Sequence, residues 1–217
     1  MKTYQILLIL TISLFTFFEN TKAEDIQINE VLELNIDSPI TPATFNYIDQ
    51  GFKRASKQNS DAILIKLNTP GGLVSTTKEI LTLIGSSEKP VFVWISPEGA
   101  SATSAGAIIA SAAHILLMSD GTNIGAATPI QMSGDIEKSD VRSKSVNDLK
   151  ALVQSLAQTR GRNAELFGDM IEKASSFEAK VANDQNLIDG ILNKKSNLTR
   201  LILRIFKLIK RRIKKLN

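Results

Sequence analysis

Three short apolar runs, 62–67, 91–95 and 114–118, each stop at a turn, and a stretch of helical character separates each from the next. Apolar runs of about five residues bounded by Gly, Pro, Ser or Asn read as buried strands. Strands alternating with helices of about ten residues build parallel βα units, with helices covering the sheet. An earlier run, Val31-Leu32-Glu33-Leu34-Asn35-Ile36, alternates like a half-buried strand. Thr41-Pro42 opens a helix, with Thr as N-cap and Pro at the first position, and Phe45, Ile48, Phe52 and Ala55 follow at helical spacing. Further helices are predicted over 75–84 (Ile80, Leu83 and Ile84 apolar), 104–112 (small and apolar) and 144–160 (Val146, Leu149, Val153 and Leu156 inward). Two short helices and a weak strand at 187–192 complete the body. Gly121-Thr122-Asn123-Ile124-Gly125 reads as a loop, and the polar stretch 131–143 as a mobile loop.

The two ends differ from this body. Lys2 precedes an apolar run over 4–18, and Thr21-Lys22-Ala23 offers small residues around a cut after Ala23, the pattern of a secretory signal or a short anchor. Residues 1–23 are thus expected to export the chain, leaving a folded body over 24–193. From 194 to 217 there are ten Lys or Arg and no acid, whereas 24–193 holds 14 basic and 21 acidic residues. The body is therefore acidic, and the overall charge of +4 comes from the tail, so nucleic acid is not an expected partner. In the tail, Leu198, Leu201, Ile202, Ile205, Phe206 and Ile209 recur at helical spacing between cations. That fits an amphipathic helix lying on an anionic membrane surface, or docked on the acidic body. The absence of cysteine removes disulfides, thiol nucleophiles and cysteine-based metal sites.

Two turns carry chemistry. In Asn68-Thr69-Pro70-Gly71-Gly72, a buried strand runs into two glycines before a helix. Such a turn exposes backbone N–H groups and lets a substrate approach closely, which an oxyanion hole requires. Gly99-Ala100-Ser101-Ala102-Thr103-Ser104-Ala105-Gly106 follows the 91–95 strand, where catalytic groups collect in parallel α/β folds. Ser101, Thr103 and Ser104 are all candidate nucleophiles, and Ser104 stands where a helix begins. The single histidine, His114, enters an apolar strand and is expected to be structural, which disfavours a Ser-His-Asp triad. A lysine base is the alternative, from among Lys138, Lys144 and Lys150. Lys144 could point into the site, or pair with Asp148 one turn on.

These two turns recur together with Gly121-Thr122-Asn123-Ile124-Gly125-Ala126, Lys144-Ser145-Val146-Asn147, Ser155-Leu156-Ala157 and Arg160-Gly161-Arg162-Asn163. In that order they make residues 31–192 similar to the N-terminal protease domain of the NfeD-type membrane-bound serine proteases, within the ClpP and signal-peptide-peptidase class. The resemblance implies an α/β fold of ClpP/crotonase type, with repeated ββα units and mostly parallel strands, to which the tail adds a C-terminal amphipathic helix. It implies Ser104 as nucleophile, Lys144 as base, and Gly71, Gly72 and Ala105 as the oxyanion hole, with no metal and no cofactor. It further implies a peptide substrate, a stomatin- or prohibitin-like membrane partner, a homodimer or higher oligomer, and an exported, membrane-associated location. The chain departs from the family at Asn68, usually acidic there, and in ending with a basic tail rather than membrane spans and a small β-barrel. The expected activity is endopeptidase cleavage of apolar segments in membrane-associated proteins. The competing expectation is a catalytically silent scaffold that binds partner peptides in the same groove; acyl-CoA chemistry is disfavoured by export.

Overall fold

The structure, a computed structural model, describes residues 30–129 and 140–202. The expected signal segment, most of the 131–143 loop and the tail beyond residue 202 lie outside the described residues. Strands β1 (Val31–Asp37), β2 (Ala62–Asn68), β3 (Val91–Ile95), β5 (Ile115–Met118) and β8 (Gly190–Ile191) form one parallel sheet in the order β1-β2-β3-β5-β8. Each central strand sends alternate side chains to opposite faces. Ile63, Ile65, Leu67, Val91, Val93, Ile95, Leu116 and Met118 join the main core. Ala62, Leu64, Phe92, Trp94, Ile115 and Leu117 form a second cluster on the other face. Both faces are dry, which is why these strands read as unbroken apolar runs rather than alternating ones. A fully buried Leu or Ile among them contributes about 2 kcal/mol by removal from water.

The main core is covered by helices α1 (Pro42–Lys57), α2 (Val74–Gly85), α3 (Ala105–Ala112), α4 (Asp140–Thr159), α5 (Ala164–Glu172) and α6 (Ala179–Asp184). Helix α1 begins as its sequence requires. Thr41 accepts the Thr44 N–H at 3.4 Å, Thr44 Oγ1 accepts the Thr41 N–H at 3.2 Å, and Pro42 fills the first turn. The second face is closed partly by the chain's own continuation. Leu192, Leu198 and Ile202 are buried there with Leu201 packed alongside, and Lys195 pairs with Glu33 of β1. The packed body therefore extends past residue 193, and Leu198 and Ile202 belong to its core.

Two expectations are corrected. The 121–125 segment is not all loop. Strand β6 (Asn123–Gly125) lies parallel to β4 (Ser101–Thr103) and antiparallel to β7 (Ser176–Glu178), making a second, three-stranded sheet. Three-residue strands are too short to show a period in sequence. The fourth helix starts at Asp140 rather than Lys144, so Lys144 sits in its second turn and the polar segment 140–143 is helical. Together the strand pairs and helices give the ClpP-like mixed α/β architecture, with mostly parallel strands.

The Arg160-Gly161-Arg162-Asn163 motif locks helix α3 to its surroundings. Arg160 Nε donates to the Ala112 carbonyl at 3.1 Å and Arg162 Nη1 to the Ser111 carbonyl at 3.4 Å, placing two cations at the helix C-terminus, where the dipole favours them. Arg162 also pairs with Asp189 at 2.6 Å, and the same carboxylate oxygen accepts the Leu116 N–H at 2.7 Å. His114 is structural, as expected, its Nδ1 accepting the Val91 N–H at 3.1 Å. Burial, reinforced by Arg160 and Arg162, holds its pKa below the ordinary 6.5. The unfolded chain therefore binds a proton that the folded one refuses, and stability falls as pH drops through 6.5 toward the lower folded value. Urea unfolding between pH 8 and 5 should show this fall flattened in His114→Gln, whose amide oxygen can accept the same N–H without titrating. Parallel profiles for the two proteins would contradict it.

Candidate active site

Ser104 stands between β4 and α3 with φ 55° and ψ −115°. That is the first central position of a mirror-image type II turn, a conformation normally left to glycine. A side chain held there costs about 1–3 kcal/mol, and such strain gathers at functional sites. The backbone on both sides enforces it. The Ser104 N–H donates to the Gly125 carbonyl at 3.0 Å, and the Ser104 carbonyl accepts from Ala107 at 3.0 Å and Ile108 at 3.3 Å. Because the peptide unit is planar and trans, the Ala105 N–H points opposite to that carbonyl, out of the helix start. Among the described residues it finds no acceptor.

The glycine turn lies directly against this serine. A Cβ added at Gly71 would fall 2.7 Å from Ser104 Cβ and 3.1 Å from its Oγ, and Gly71 has φ 122°. Only glycine allows both the approach and the backbone angle. Gly72 is pressed from the other side by Ile40, whose carbonyl would lie 2.1 Å from any Cβ there. Ile40 clamps the turn, its N–H donating to the Gly71 carbonyl at 2.8 Å and its carbonyl accepting from Leu73 at 2.9 Å. The Gly71 N–H is engaged by Thr69 Oγ1 at 3.2 Å, whereas the Gly72 N–H has no acceptor among the described residues. Of the two glycines, Gly72 thus offers the open donor and Gly71 the clearance.

The other candidates separate on geometry. Ser101 Oγ and Thr103 Oγ1 hydrogen-bond each other at 2.5 Å, while the Ser104 hydroxyl has no partner among the described residues. Lys150 is paired with Glu172 at 2.7 Å, and Lys138 lies outside the described residues. Lys144 is exposed and not joined to Ser104 among the described residues; the possible partner Asp148 pairs instead with Lys78 at 3.4 Å. Ser104, Ala105, Gly71 and Gly72 therefore come together, and no hydrogen bond joins the exposed Lys144 to them among the described residues.

Asn68, where a carboxylate was expected from the resemblance, has a clear local role. Its Nδ2 donates to Asp37 Oδ1 at 2.8 Å and its Oδ1 accepts the Ser101 N–H at 3.0 Å, bridging the ends of β1 and β4. A carboxylate at 68 could accept from Ser101 but would face Asp37 without a proton to donate. Motif reading did not reveal this bridge, nor the Ile40 clamp, because both partners lie about thirty residues from the turn.

Comparison with known proteins gives one consistent family. Residues 30–197 match the model of the NfeD1b N-terminal domain. The chain is 36% identical over 178 residues to the membrane-bound protease PH1510 of Pyrococcus horikoshii, covering 78% of this chain and 40% of that protein. It is 30% identical over 116 residues to the membrane protein NfeD1b of Bacillus subtilis, covering 54% of this chain and 25% of that one. The chain thus spans well under half the length of these curated relatives. Among solved structures, it resembles a serine-to-alanine mutant of the 1510-N membrane-bound stomatin-specific protease, with TM-score 0.75, 33% identity, and 81% and 85% of the two chains covered. It also resembles the lysine-to-alanine mutant of that protease in complex with a substrate peptide, with TM-score 0.73, 34% identity and 78% of each chain covered. Among the described residues, no helix is long and apolar enough to cross a membrane. The chain belongs to the NfeD1b N-terminal-domain family, and it shares the fold of that family's membrane-bound protease domain.

Proposed function

We propose that the domain is a serine endopeptidase in which Ser104 and Lys144 form a dyad and apolar segments of membrane-associated proteins are the substrates. The observation that carries this reading is the strained Ser104, set against the glycine turn and flanked by the open N–H groups of Gly72 and Ala105. Ser104 Oγ attacks the scissile carbonyl while the Lys144 amine takes its proton. The oxyanion is held by the N–H groups of Gly72 and Ala105, and Gly71 leaves room for it beside the serine. Lys144 then delivers the proton to the leaving amine, and water activated by the same lysine hydrolyses the acyl-enzyme. The serine and lysine altered in the two mutant relatives are separated by about the same length of chain as Ser104 and Lys144. One relative is named stomatin-specific, which suggests a stomatin-like membrane protein as the natural partner. The ten cations from 194 to 217 supply attraction to anionic lipid, consistent with relatives named as membrane proteins.

In this reading Lys144 must become shielded from water beside Ser104, because a lysine is a useful base only when desolvated. Catalytic hydrogen bonds often tighten only once substrate is bound. The exposure of Lys144 is also the observation that favours a silent peptide-binding scaffold. Cleavage of a fluorogenic apolar peptide by wild type, Ser104→Ala and Lys144→Ala separates the two. The dyad predicts that Lys144→Ala loses at least about 100-fold in kcat/KM. Wild-type cleavage that survives Lys144→Ala would remove the dyad, and no wild-type cleavage would leave the scaffold.

A further inference from the structure

We propose that Thr69 is the positioning residue that sets the oxyanion-binding turn, holding the Gly71–Gly72 peptide in its donating orientation; this rests on the protease reading above. Thr69 is 1% exposed, although its hydroxyl is polar and adjoins a functional turn. That hydroxyl grips residue 71 at both ends, accepting the Gly71 N–H at 3.2 Å and donating to the Gly71 carbonyl at 3.3 Å. Its backbone is fixed to the nucleophile strand, with the Thr69 N–H donating to Ser101 at 2.8 Å and the Thr69 carbonyl accepting from Thr103 at 3.1 Å. Its γ-methyl lies against helix α3, where a Cβ on Gly106 would come within 2.6 Å of Cγ2. One side chain therefore touches the glycine turn and the helix that follows Ser104, and its own backbone flanks the strand that precedes it.

The consequence follows from peptide geometry. The Gly71 carbonyl and the Gly72 N–H belong to one planar unit and point in opposite directions. Holding the carbonyl, by Ile40 on one side and Thr69 on the other, fixes where the Gly72 N–H points. Glycine by itself would not do so, since it tolerates the flipped peptide as readily as the native one. Thr69 touches neither substrate nor the reacting atoms, so its contribution belongs in kcat and not in KM.

Thr69→Val keeps the shape and the methyl but removes the hydroxyl, and Thr69→Ser does the reverse. With the full chain and a fluorogenic apolar peptide, Thr69→Val is expected to lower kcat by about 10- to 100-fold with KM within about twofold, approaching the loss of one oxyanion donor. Thr69→Ser is expected to recover most of that loss. Equal impairment in both variants would assign the effect to methyl packing, and an unchanged kcat in Thr69→Val would also overturn the proposal. A second readout needs no turnover. In a Ser104→Ala background, amide exchange at Gly71 should quicken at least about tenfold in Thr69→Val, because its acceptor is gone. Unchanged exchange overturns the positioning role even if the chain cleaves nothing, whereas quickened exchange without wild-type cleavage retains the positioning role and removes only the protease reading.

Discussion

Ser104→Gly is expected to abolish peptide cleavage and at the same time to make the protein more stable than wild type. The loss of activity follows from removing the attacking oxygen, and losses of this kind reach about 10⁴-fold or more. The gain in stability follows from φ 55° and ψ −115°, which glycine adopts without penalty. Relief of about 1–3 kcal/mol of strain is offset by about 0.5–1 kcal/mol for the added freedom of glycine in the unfolded chain. The net gain is therefore about 1 kcal/mol, or roughly 2–4 °C in Tm for a domain of this size. Ser104→Ala keeps a Cβ in the same conformation, so it should lose activity without that gain. Calorimetry on the three proteins checks the difference. Equal midpoints for the glycine and alanine variants would mean that the serine is not strained.

Arg162→Met is expected to have the largest effect on folding. The Arg162 side chain is 1% exposed and satisfies Asp189 while its guanidinium reaches the Ser111 carbonyl at the end of α3. Removing one partner of a buried pair costs about 3–5 kcal/mol because the other charge is left uncompensated. Asp189 is 20% exposed and retains the Leu116 N–H, which puts the loss near the lower end, about 3 kcal/mol. That corresponds to a fall of roughly 6–12 °C in Tm. Lys180→Met, which breaks the exposed Lys180–Asp184 pair, should leave the midpoint unchanged and serves as the control. A loss in Arg162→Met no larger than in Lys180→Met would show that the motif does not hold α3 in place.

What the sequence made legible follows physical lines. The β2, β3 and β5 strands were readable because both faces of the sheet are dry, so their residues are apolar without interruption. The Thr41-Pro42 start was readable because capping is local chemistry. Strands β4, β6 and β7 were hidden, since three residues cannot establish a period. Apart from the resemblance, Ser104 could not be told from Ser101 and Thr103. The distinction lies in a backbone angle and in a hydroxyl pair, neither of which leaves a pattern in composition. Gly71 and Gly72 were visible as a pair, but their different duties depend on Thr69 and on the distant Ile40. The polar residues before Lys144 show no apolar face, so the sequence pattern starts the helix at Lys144, four residues after its actual start at Asp140.

The roles proposed for Ser104 as nucleophile and Lys144 as its base can be tested together. The most direct measurement is labelling of the full chain with a fluorophosphonate, followed by peptide mass spectrometry and the rate of adduct formation in wild type and Lys144→Ala. A single adduct on Ser104 is expected, forming at least about 100-fold more slowly without Lys144. An adduct on Ser101 or Thr103, or an unchanged rate in Lys144→Ala, would contradict those roles.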